Sequence, residues 1–286
     1  MPETDLDRAF ETCRKINARH GKTYYFSTLF FPPAVRRSVH ALYGFVRYPD
    51  EIVDNPPDNS NPGKELAEYR HETVRALKRG DSDLPVLKAF AHVAREYEIP
   101  ADYSLAFLDA MAMDLSRCEY ATFDDLQEYT YGSASAVGLM MCHIMGLSDW
   151  SALDQARELG LAMQLTNFLR DIGEDWHDRR RIYIPQEDLA RFGYTEQMLC
   201  NGVVNDAFCA LMQFEIERAR KIYASADTGI ASITPDCQFP VRLARTLYAR
   251  ILDKIEDNQY DVFGQRARTS ALEKAATVVR LRLQSA

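Results

Sequence analysis

The sequence predicts an all-α protein. Apolar residues recur at steps of three and four along nearly the whole chain, whereas the apolar–polar alternation typical of strands is almost absent. Hydrophobic residues make up 47% of the 286 residues, which is enough to build a large core. No repeat of solenoid period and no low-complexity linker divides the chain, so we expect residues 1–286 to form a single domain.

The first two helices are marked by their starts. Thr4 is a good N-cap for a first amphipathic helix, and Pro33 fits the first turn of a second. A loop rich in proline and asparagine follows over 55–63. Pro49 lies inside the second helix, where a proline removes a backbone hydrogen bond, so we expect a break there that re-aims the next residue.

Further amphipathic patterns predict eight more helices, and a connection of loop and short helical pieces over 179–200. The predicted ranges are 64–79, 85–97, 102–117, 124–146, 151–177, 204–225, 239–258 and 268–284. The suggested N-caps are Asp102, Asp124, Ser151 and Asn205.

Charge and cysteine usage exclude several classes of protein. A net charge of −8 offers no broad basic field for nucleic acid. The six cysteines are scattered without a C-x-x-C, so we expect neither a zinc ribbon nor a disulfide framework. No signal-peptide pattern opens the chain, and no apolar stretch is long enough to span a membrane. We therefore expect a cytoplasmic protein with no nucleic-acid partner, and peripheral membrane contact stays open.

The strongest candidate for a functional site is the stretch over 164–176. Its polar members are spaced by three and four residues and so share one helix face; they are Gln164, Asn167, Asp171, Glu174 and Asp175. Three carboxylates on one stripe repel each other unless cations lie among them. Hard oxygen ligands at this density suit Mg²⁺, which is usually held by one or two carboxylates together with substrate phosphates.

A second acidic stretch has the same context. Asp50 and Asp54 end an apolar helix, with Arg47 one turn earlier. A solvated acidic helix face is the commoner explanation of a lone D-x-x-x-D pair. Such a face does not need to be preceded by an apolar, core-facing helix, as this pair is. We interpret as surface three aspartates that interleave with charged residues near the C-terminus, Asp253, Asp257 and Asp261.

Together these stretches resemble the phytoene/squalene synthase family. The resemblance rests on five ordered blocks that extend over nearly the whole chain. The blocks are Arg47-x-x-Asp50-Glu51-x-x-Asp54, Tyr129-Thr130-Tyr131-Gly132-Ser133-Ala134-Ser135-Ala136-Val137-Gly138, Asn167-x-x-Arg170-Asp171-x-x-Glu174-Asp175, Arg181-Ile182-Tyr183-Ile184-Pro185 and Tyr248-x-x-Ile251-Leu252-x-x-Ile255.

The resemblance implies an isoprenoid synthase fold, in which helices surround a central cavity, and it implies the residues of the site. The implied ligands of two or three Mg²⁺ ions are Asp50, Glu51, Asp54, Asn167, Asp171, Glu174 and Asp175. The implied catalytic residues are Asp50, Asp54, Asp171, Asp175, Tyr131 and Arg170. The implied substrate-binding residues are Arg47, Lys22, Gln164, Asn167, Arg180, Arg181, Tyr183 and Tyr248.

Some of these residues have competing interpretations. Lys22 is equally well explained as an exposed lysine, and core packing explains any single tyrosine. The small residues over 132–138 suit either close approach by a long apolar chain or tight helix packing. Ser133 and Ser135 stand where the family commonly has apolar residues or glycine, so we expect a slightly more polar cavity wall.

The implied activity is the head-to-head condensation of two prenyl diphosphates, with geranylgeranyl diphosphate favoured, through a cyclopropylcarbinyl diphosphate to phytoene. The alternative is squalene or dehydrosqualene formation from farnesyl diphosphate, and NADPH would be needed only for squalene. A class I terpene cyclase or a chain-elongating prenyltransferase shares the acidic motifs, but the middle tyrosine block and Arg181-Ile182-Tyr183 count against both. Outside enzymes, a helical protein that binds lipid or Mg²⁺ without catalysis is the rival. The oligomeric state is left open.

Overall fold

A computed structural model describes residues 4–284, which fold almost entirely as helices. The α-helices are α1 (Asp5–His20), α2 (Lys22–Thr28), α3 (Pro33–Asp54), α4 (Pro62–Arg79), α5 (Pro85–Glu96), α6 (Ala101–Met113), α7 (Phe123–Thr130), α8 (Ala136–Met145), α9 (Leu153–Arg179), α10 (Gln186–Arg191), α11 (Glu196–Cys200), α12 (Asp206–Asp227), α13 (Pro235–Asp257) and α14 (Ala271–Gln284). Within this range there is no strand, only an isolated antiparallel bridge between Leu147 and Ile233. The prediction of an all-α fold is confirmed.

Side-chain capping marks the start of several helices. Thr4 accepts from the amide of Asp7 in a capping box, and Asn205 accepts from the amide of Phe208 at 2.9 Å, as predicted. The other three suggested caps, Asp102, Asp124 and Ser151, are wrong, because Pro100, Thr122 and Ala152 hold the cap positions of α6, α7 and α9. Short helices α10 and α11 lie in the connection over 179–200, as expected, whereas α2 was not predicted.

Pro49 does not break α3, so that expectation is wrong. The helix continues through the proline to Asp54. The N–H that residue 49 would have offered to the carbonyl of Phe45 is replaced by the hydroxyl of Tyr69, which donates to that oxygen at 3.1 Å.

The predicted helix over 124–146 is divided by a π-helical turn, Tyr131–Ser135, between α7 and α8. Glycines here let neighbouring backbones approach closely. A Cβ on Gly132 would lie 2.3 Å from the carbonyl oxygen of Ala106 in α6, and one on Gly138 would lie 2.8 Å from that of Ala156 in α9. Gly132 and Gly138 therefore serve helix packing, which is one of the two uses left open above.

Two apolar clusters form the core. One joins α1, α3 and α5, where Phe45 stacks on Phe90 with ring centroids 4.0 Å apart. The other joins α9, α12 and α13, and Phe168 stacks there on Tyr183, also at 4.0 Å. All six cysteines are free, as expected. Within residues 4–284 no helix combines the length and apolarity needed to cross a membrane.

Candidate active site

A cavity of about 780 Å³ lies among α3, α6, α7, α8, α9 and α13. Part of its wall is apolar, formed by residues such as Phe107, Met111, Val137, Met141, Leu159, Ile230 and Val241. Carboxylates and arginines of both acidic motifs line another part. The cavity thus suits a molecule that has a long apolar portion and an anionic group.

The second acidic motif lines the cavity as the helix spacing predicts. Gln164, Asn167, Asp171, Glu174 and Asp175 all face it from α9, whereas Leu161, Leu165, Leu169 and Ile172 of the same helix are buried in the core. The predicted Arg170 also lines the cavity, and its Nε donates to Oδ1 of Asp171 at 2.7 Å.

The first acidic motif enters the cavity at the end of α3. Asp50 and Asp54 line the wall, and Arg47 beside them pairs with both Asp50 and Glu51. Glu51 does not line the cavity. Besides Arg47 its carboxylate contacts His20, at 3.3 Å from Nδ1, and Asn55. The structure therefore brings two of the three predicted acidic ligands of this motif to the cavity.

The two motifs face each other across arginine side chains. Nε of Arg179 lies 3.2 Å from Oδ2 of Asp54, and its Nη1 lies 3.2 Å from Oδ1 of Asp175. Arg181 donates to the other oxygen of Asp54 at 2.7 Å. A residue of α3 and a residue of α9 thus share one guanidinium, more than 120 positions apart in sequence.

Burial and repulsion from neighbouring carboxylates disfavour the charged forms of two aspartates in the site. Burial, with the charge of Asp54 as the next cause, raises the pKa of Asp50 to about 7. Burial and then the charge of Asp171 raise the pKa of Asp175 to about 8. A bound cation would relieve this repulsion, and the surrounding oxygen donors are those that hard divalent cations prefer.

The carboxylates are not drawn together around a single point. Among residues 4–284 no group of three or more His, Cys, Asp or Glu side chains is arranged to hold a metal ion. Arginines are paired with them instead, as with Arg170 on Asp171 and Arg179 on Asp175. The chemistry of the donor set fits Mg²⁺, whereas the present side-chain arrangement is that of a network of ion pairs.

Asp114 is a cavity residue that sequence reasoning missed. Its carboxylate accepts from the hydroxyls of Tyr129 at 2.7 Å and Tyr183 at 3.0 Å, and Arg181 lies 4.0 Å away. Burial raises the pKa of Asp114 to about 6 against the opposing effect of Arg181. The residue directly follows α6 and has no second carboxylate three or four positions away in the sequence, so spacing gave no signal.

Two arginines that pair with the acidic motifs were also missed. Arg179 lines the cavity and joins the two motifs, as described above. Arg266, from the loop before α14, places Nε 2.9 Å from Asp171 and Nη1 2.7 Å from Glu174. The D-x-x-x-D rule contains no basic position, so only the proximity of Arg179 to the second motif could have indicated it.

Besides Glu51, two predicted site residues lie away from the cavity. Tyr131 is 40% exposed, and its neighbour Tyr129 lines the wall in its place. Arg180 has a positive φ of 56° at the end of α9, and its guanidinium lies over Trp176 on the exposed surface. The cavity wall instead contains the predicted residues Lys22, Arg181, Tyr183 and Tyr248.

The two serines of the middle motif have different surroundings. Ser133 lines the cavity, and its buried hydroxyl has no hydrogen-bond partner. Ser135 is not part of the wall, because its hydroxyl donates to the carbonyl of Arg157 at 3.0 Å. The expected increase in wall polarity therefore comes from Ser133 alone.

The fold and this cavity define an enzyme of the prenyltransferase class. The model of the squalene/phytoene synthase family matches residues 17–273, and the chain belongs to that family. It is 40% identical over 279 residues to phytoene synthase of Arthrospira platensis, covering 93% of this chain and 89% of the relative. It is 39% identical over 274 residues to 15-cis-phytoene synthase of Synechococcus elongatus, covering 92% and 88%.

A solved structure has the same architecture. A dehydrosqualene synthase in complex with ligand superposes with a TM-score of 0.90 at 27% identity and covers 98% of both chains. Squalene synthase HpnC of Alicyclobacillus acidocaldarius gives a TM-score of 0.81 at 25% identity, covering 90% of this chain and 96% of that one. The isoprenoid synthase fold expected from the sequence is confirmed.

Proposed function

We propose that this enzyme condenses two molecules of geranylgeranyl diphosphate head to head, through a cyclopropylcarbinyl diphosphate, to form phytoene. The observation that carries the proposal is the single guanidinium of Arg179 between Asp54 and Asp175. It indicates that both acidic motifs act on one cavity, as the binding of two diphosphates requires. The names of the relatives from Arthrospira and Synechococcus support phytoene as the product.

The arginines of the site are the proposed diphosphate ligands. Guanidinium groups bind phosphate oxygens in a bidentate manner, and six arginines line the cavity: Arg47, Arg170, Arg179, Arg181, Arg266 and Arg268. When these arginines bind a diphosphate instead of Asp54, Asp171 and Asp175, the three carboxylates become free to bind cations.

The proposed cofactor is Mg²⁺, in two or three ions. Asp50, Asp54, Asn167, Asp171, Glu174 and Asp175 would hold it. Bound Mg²⁺ neutralises the charge that develops on a leaving diphosphate. Activity that survives EDTA treatment would contradict this part of the proposal.

Aromatic faces suit the cationic stage of the reaction. Phe168 and Tyr183 stack on one another beside Tyr129, and all three line the cavity. An aromatic face attracts a cation, most strongly where water is excluded. We propose that these rings, rather than Tyr131, lie against the carbocation left when the diphosphate departs.

The test is product analysis. Purified enzyme is incubated with Mg²⁺ and either geranylgeranyl or farnesyl diphosphate, with and without NADPH, and the products are separated by gas chromatography. We expect phytoene from the 20-carbon substrate with no need for NADPH. Dehydrosqualene or squalene from farnesyl diphosphate is the second candidate, which the similarity to a dehydrosqualene synthase favours. If the enzyme condenses neither substrate, the remaining candidate is a helical protein that binds lipid or Mg²⁺ without catalysis.

We also propose that the enzyme is cytoplasmic and contacts membranes peripherally through the outer face of α14. Leu272, Val279 and Leu283 form an exposed stripe there, with Arg280 and Arg282 on opposite edges. Lys274 of the same helix lines the cavity. Prenyl diphosphates and their product are lipids, so a surface of this kind beside the cavity suits exchange with a bilayer.

A further inference from the structure

Pro49 leaves a backbone acceptor without its usual donor in the helix that carries the first acidic motif. In an α-helix the carbonyl of Phe45 would accept from the N–H of residue 49, and proline has none. Asp50 follows this proline directly, and Asp54 comes one turn later. The path of the backbone around Pro49 therefore determines where both carboxylates lie.

Tyr69 of α4 supplies the missing donor. Its hydroxyl lies 3.1 Å from the Phe45 oxygen, and the residue is only 3% exposed. Its ring stacks on Tyr48 and Phe45, with centroid separations of 4.9 and 6.2 Å, which hold the hydroxyl in place. Burial raises the pKa of Tyr69 well above its ordinary value, so the hydroxyl keeps its proton and acts as a donor.

We propose that Tyr69 is a positioning residue for Asp50 and Asp54. Its hydrogen bond to the Phe45 carbonyl fixes the turn around Pro49 and thereby the place of the two carboxylates in the cavity. Tyr69 does not itself line the cavity, so it acts through α3. The expected effect on rate rests on the proposed function, whereas the effect on the helix rests on the geometry alone.

The first test is Tyr69→Phe, which removes only the hydroxyl. We expect kcat for phytoene formation to fall roughly ten- to hundredfold, since a displacement of about 1 Å in a catalytic group can have that effect. The Mg²⁺ concentration for half-maximal activity should rise, with less change in KM. The matched control is Tyr194→Phe, because the Tyr194 hydroxyl also donates to a backbone carbonyl, that of Val203 at 2.8 Å, away from the cavity.

Both variants should lower the melting temperature, and only Tyr69→Phe should change kcat and the Mg²⁺ requirement. If Tyr69→Phe lost activity only because the protein is less stable, Tyr194→Phe would lose as much activity. That result would overturn the proposal, as would full activity and an unchanged Mg²⁺ requirement in Tyr69→Phe.

The decisive comparison repeats Tyr69→Phe in a Pro49→Ala background. Alanine at position 49 restores an N–H that donates to the Phe45 carbonyl, so the tyrosine hydroxyl is no longer needed. We expect Tyr69→Phe to lower kcat by no more than about threefold there, which is the coupling that a double-mutant cycle measures. An equal loss in both backgrounds would mean that Tyr69 acts through packing alone, and the proposal would fail.

Calorimetry provides a readout that does not depend on turnover. Titration with Mg²⁺ and inorganic diphosphate should show binding weakened about tenfold in Tyr69→Phe and restored in the double variant, in line with the coupling between contacting groups. Unchanged binding in Tyr69→Phe would contradict the proposal. If the wild-type enzyme made no phytoene, the proposed function would fail, while this comparison would still test the role of Tyr69.

Discussion

One aspartate in each of the two acidic motifs has two basic partners. Asp54 contacts Arg179 and Arg181, and Asp171 contacts Arg170 and Arg266. Asp257, in an equally spaced C-terminal pair, is 69% exposed and lies 3.8 Å from Lys254. The same residue type and spacing thus occur in two environments, and only the first concentrates charge in a cavity.

We predict that Asp54→Asn and Asp171→Asn each lower kcat by about 10²–10³, because losing one electrostatic partner of a developing anion has an effect of that size. Asp257→Asn should leave kcat unchanged, as expected for a screened surface charge. Steady-state rates and melting temperatures of the three variants check this. A loss of activity in Asp257→Asn equal to that in the other two would show that the wrong pairs have been chosen.

Glu215 of α12 provides a pH-dependent contribution to stability remote from the cavity. Arg218 lies 2.8 Å from both Glu215 and Asp188, so one guanidinium serves two buried carboxylates. Burial and the nearby Asp188 raise the pKa of Glu215 from 4.5 to about 8. A raised pKa in the folded state means that the stabilising contribution is complete below pH 4.5 and is lost as the pH rises through about 8.

We predict that Glu215→Gln, which stays neutral, loses less stability than the wild type between pH 5 and 8. The gap at pH 8 should be at most a few kcal/mol, since one pKa unit corresponds to about 1.36 kcal/mol. Denaturant unfolding across this range measures it. Glu217→Gln on the same helix, where the side chain is 59% exposed, is the control and should follow the wild-type curve. Parallel curves for Glu215→Gln and wild type would contradict the prediction.

For single residues, the sequence predicted the acidic residues of the site well and their basic and aromatic neighbours less well. Tyr131 is two positions from Tyr129, which is about 200° around a helix, so the two cannot face the same cavity. Arg180 follows the last residue of α9, and its left-handed backbone turns it away while Arg179 stays on the helix. Neither the exact helix end nor a partner such as Asp114, brought close only by folding, can be read from local spacing.

At the scale of helices, close packing around the π turn positions the cavity wall. Gly132 packs against α6, while the next two residues, Ser133 and Ala134, line the cavity. A displacement of this turn would therefore move the wall. The sequence predicted this helix but not its π turn, since no local residue preference marks where an extra residue is accommodated.

We predict that Gly132→Ala destabilises the enzyme by about 1–3 kcal/mol, the usual range for overpacking. The added Cβ would lie 2.3 Å from the Ala106 oxygen and 2.7 Å from the Ala110 Cβ, so α6 and the turn must separate. Gly63→Ala, in the first turn of α4, is the control, because its Cβ would meet nothing closer than 3.6 Å. Equal melting temperatures for the two variants would contradict this prediction.

For the whole molecule, hydrophobic periodicity was sufficient to predict an all-α protein, because each amphipathic stripe must be buried against another helix. The cavity depends on the order in which those helices meet, and here the family resemblance supplied what periodicity could not. Pro49 illustrates the limit of prediction from local sequence. A proline within a helix pattern indicates a break, and only the contact with Tyr69 from α4 explains why α3 continues through it. That residues 1–286 form a single domain stays a prediction.

The outer face of α14 is the surface through which we propose that the whole molecule contacts membranes. Leu272, Val279 and Leu283 are 84%, 59% and 75% exposed, while the opposite face is fixed to the protein through Thr277, which is buried, and an ion pair of Glu273 with Lys254 at 2.7 Å. The area that three aliphatic side chains can bury is far smaller than the roughly 1,000 Å² that a stable protein interface buries. Symmetric pairing of two copies would also bring their arginines together, so an anionic membrane fits this face better.

We predict that Leu272→Ser with Leu283→Ser reduces co-sedimentation with phosphatidylglycerol vesicles at least tenfold, since full burial of one leucine contributes about 1.5–3 kcal/mol. Raising the salt concentration should weaken wild-type binding, because the arginines interact with anionic headgroups. The control replaces two exposed apolar residues elsewhere, Leu115→Ser with Val204→Ser, and should bind as the wild type does. Equal vesicle binding by both double variants would rule out α14 as the contact. Loss of a dimer, rather than of vesicle binding, in the α14 variant would assign the stripe to a second copy of the chain.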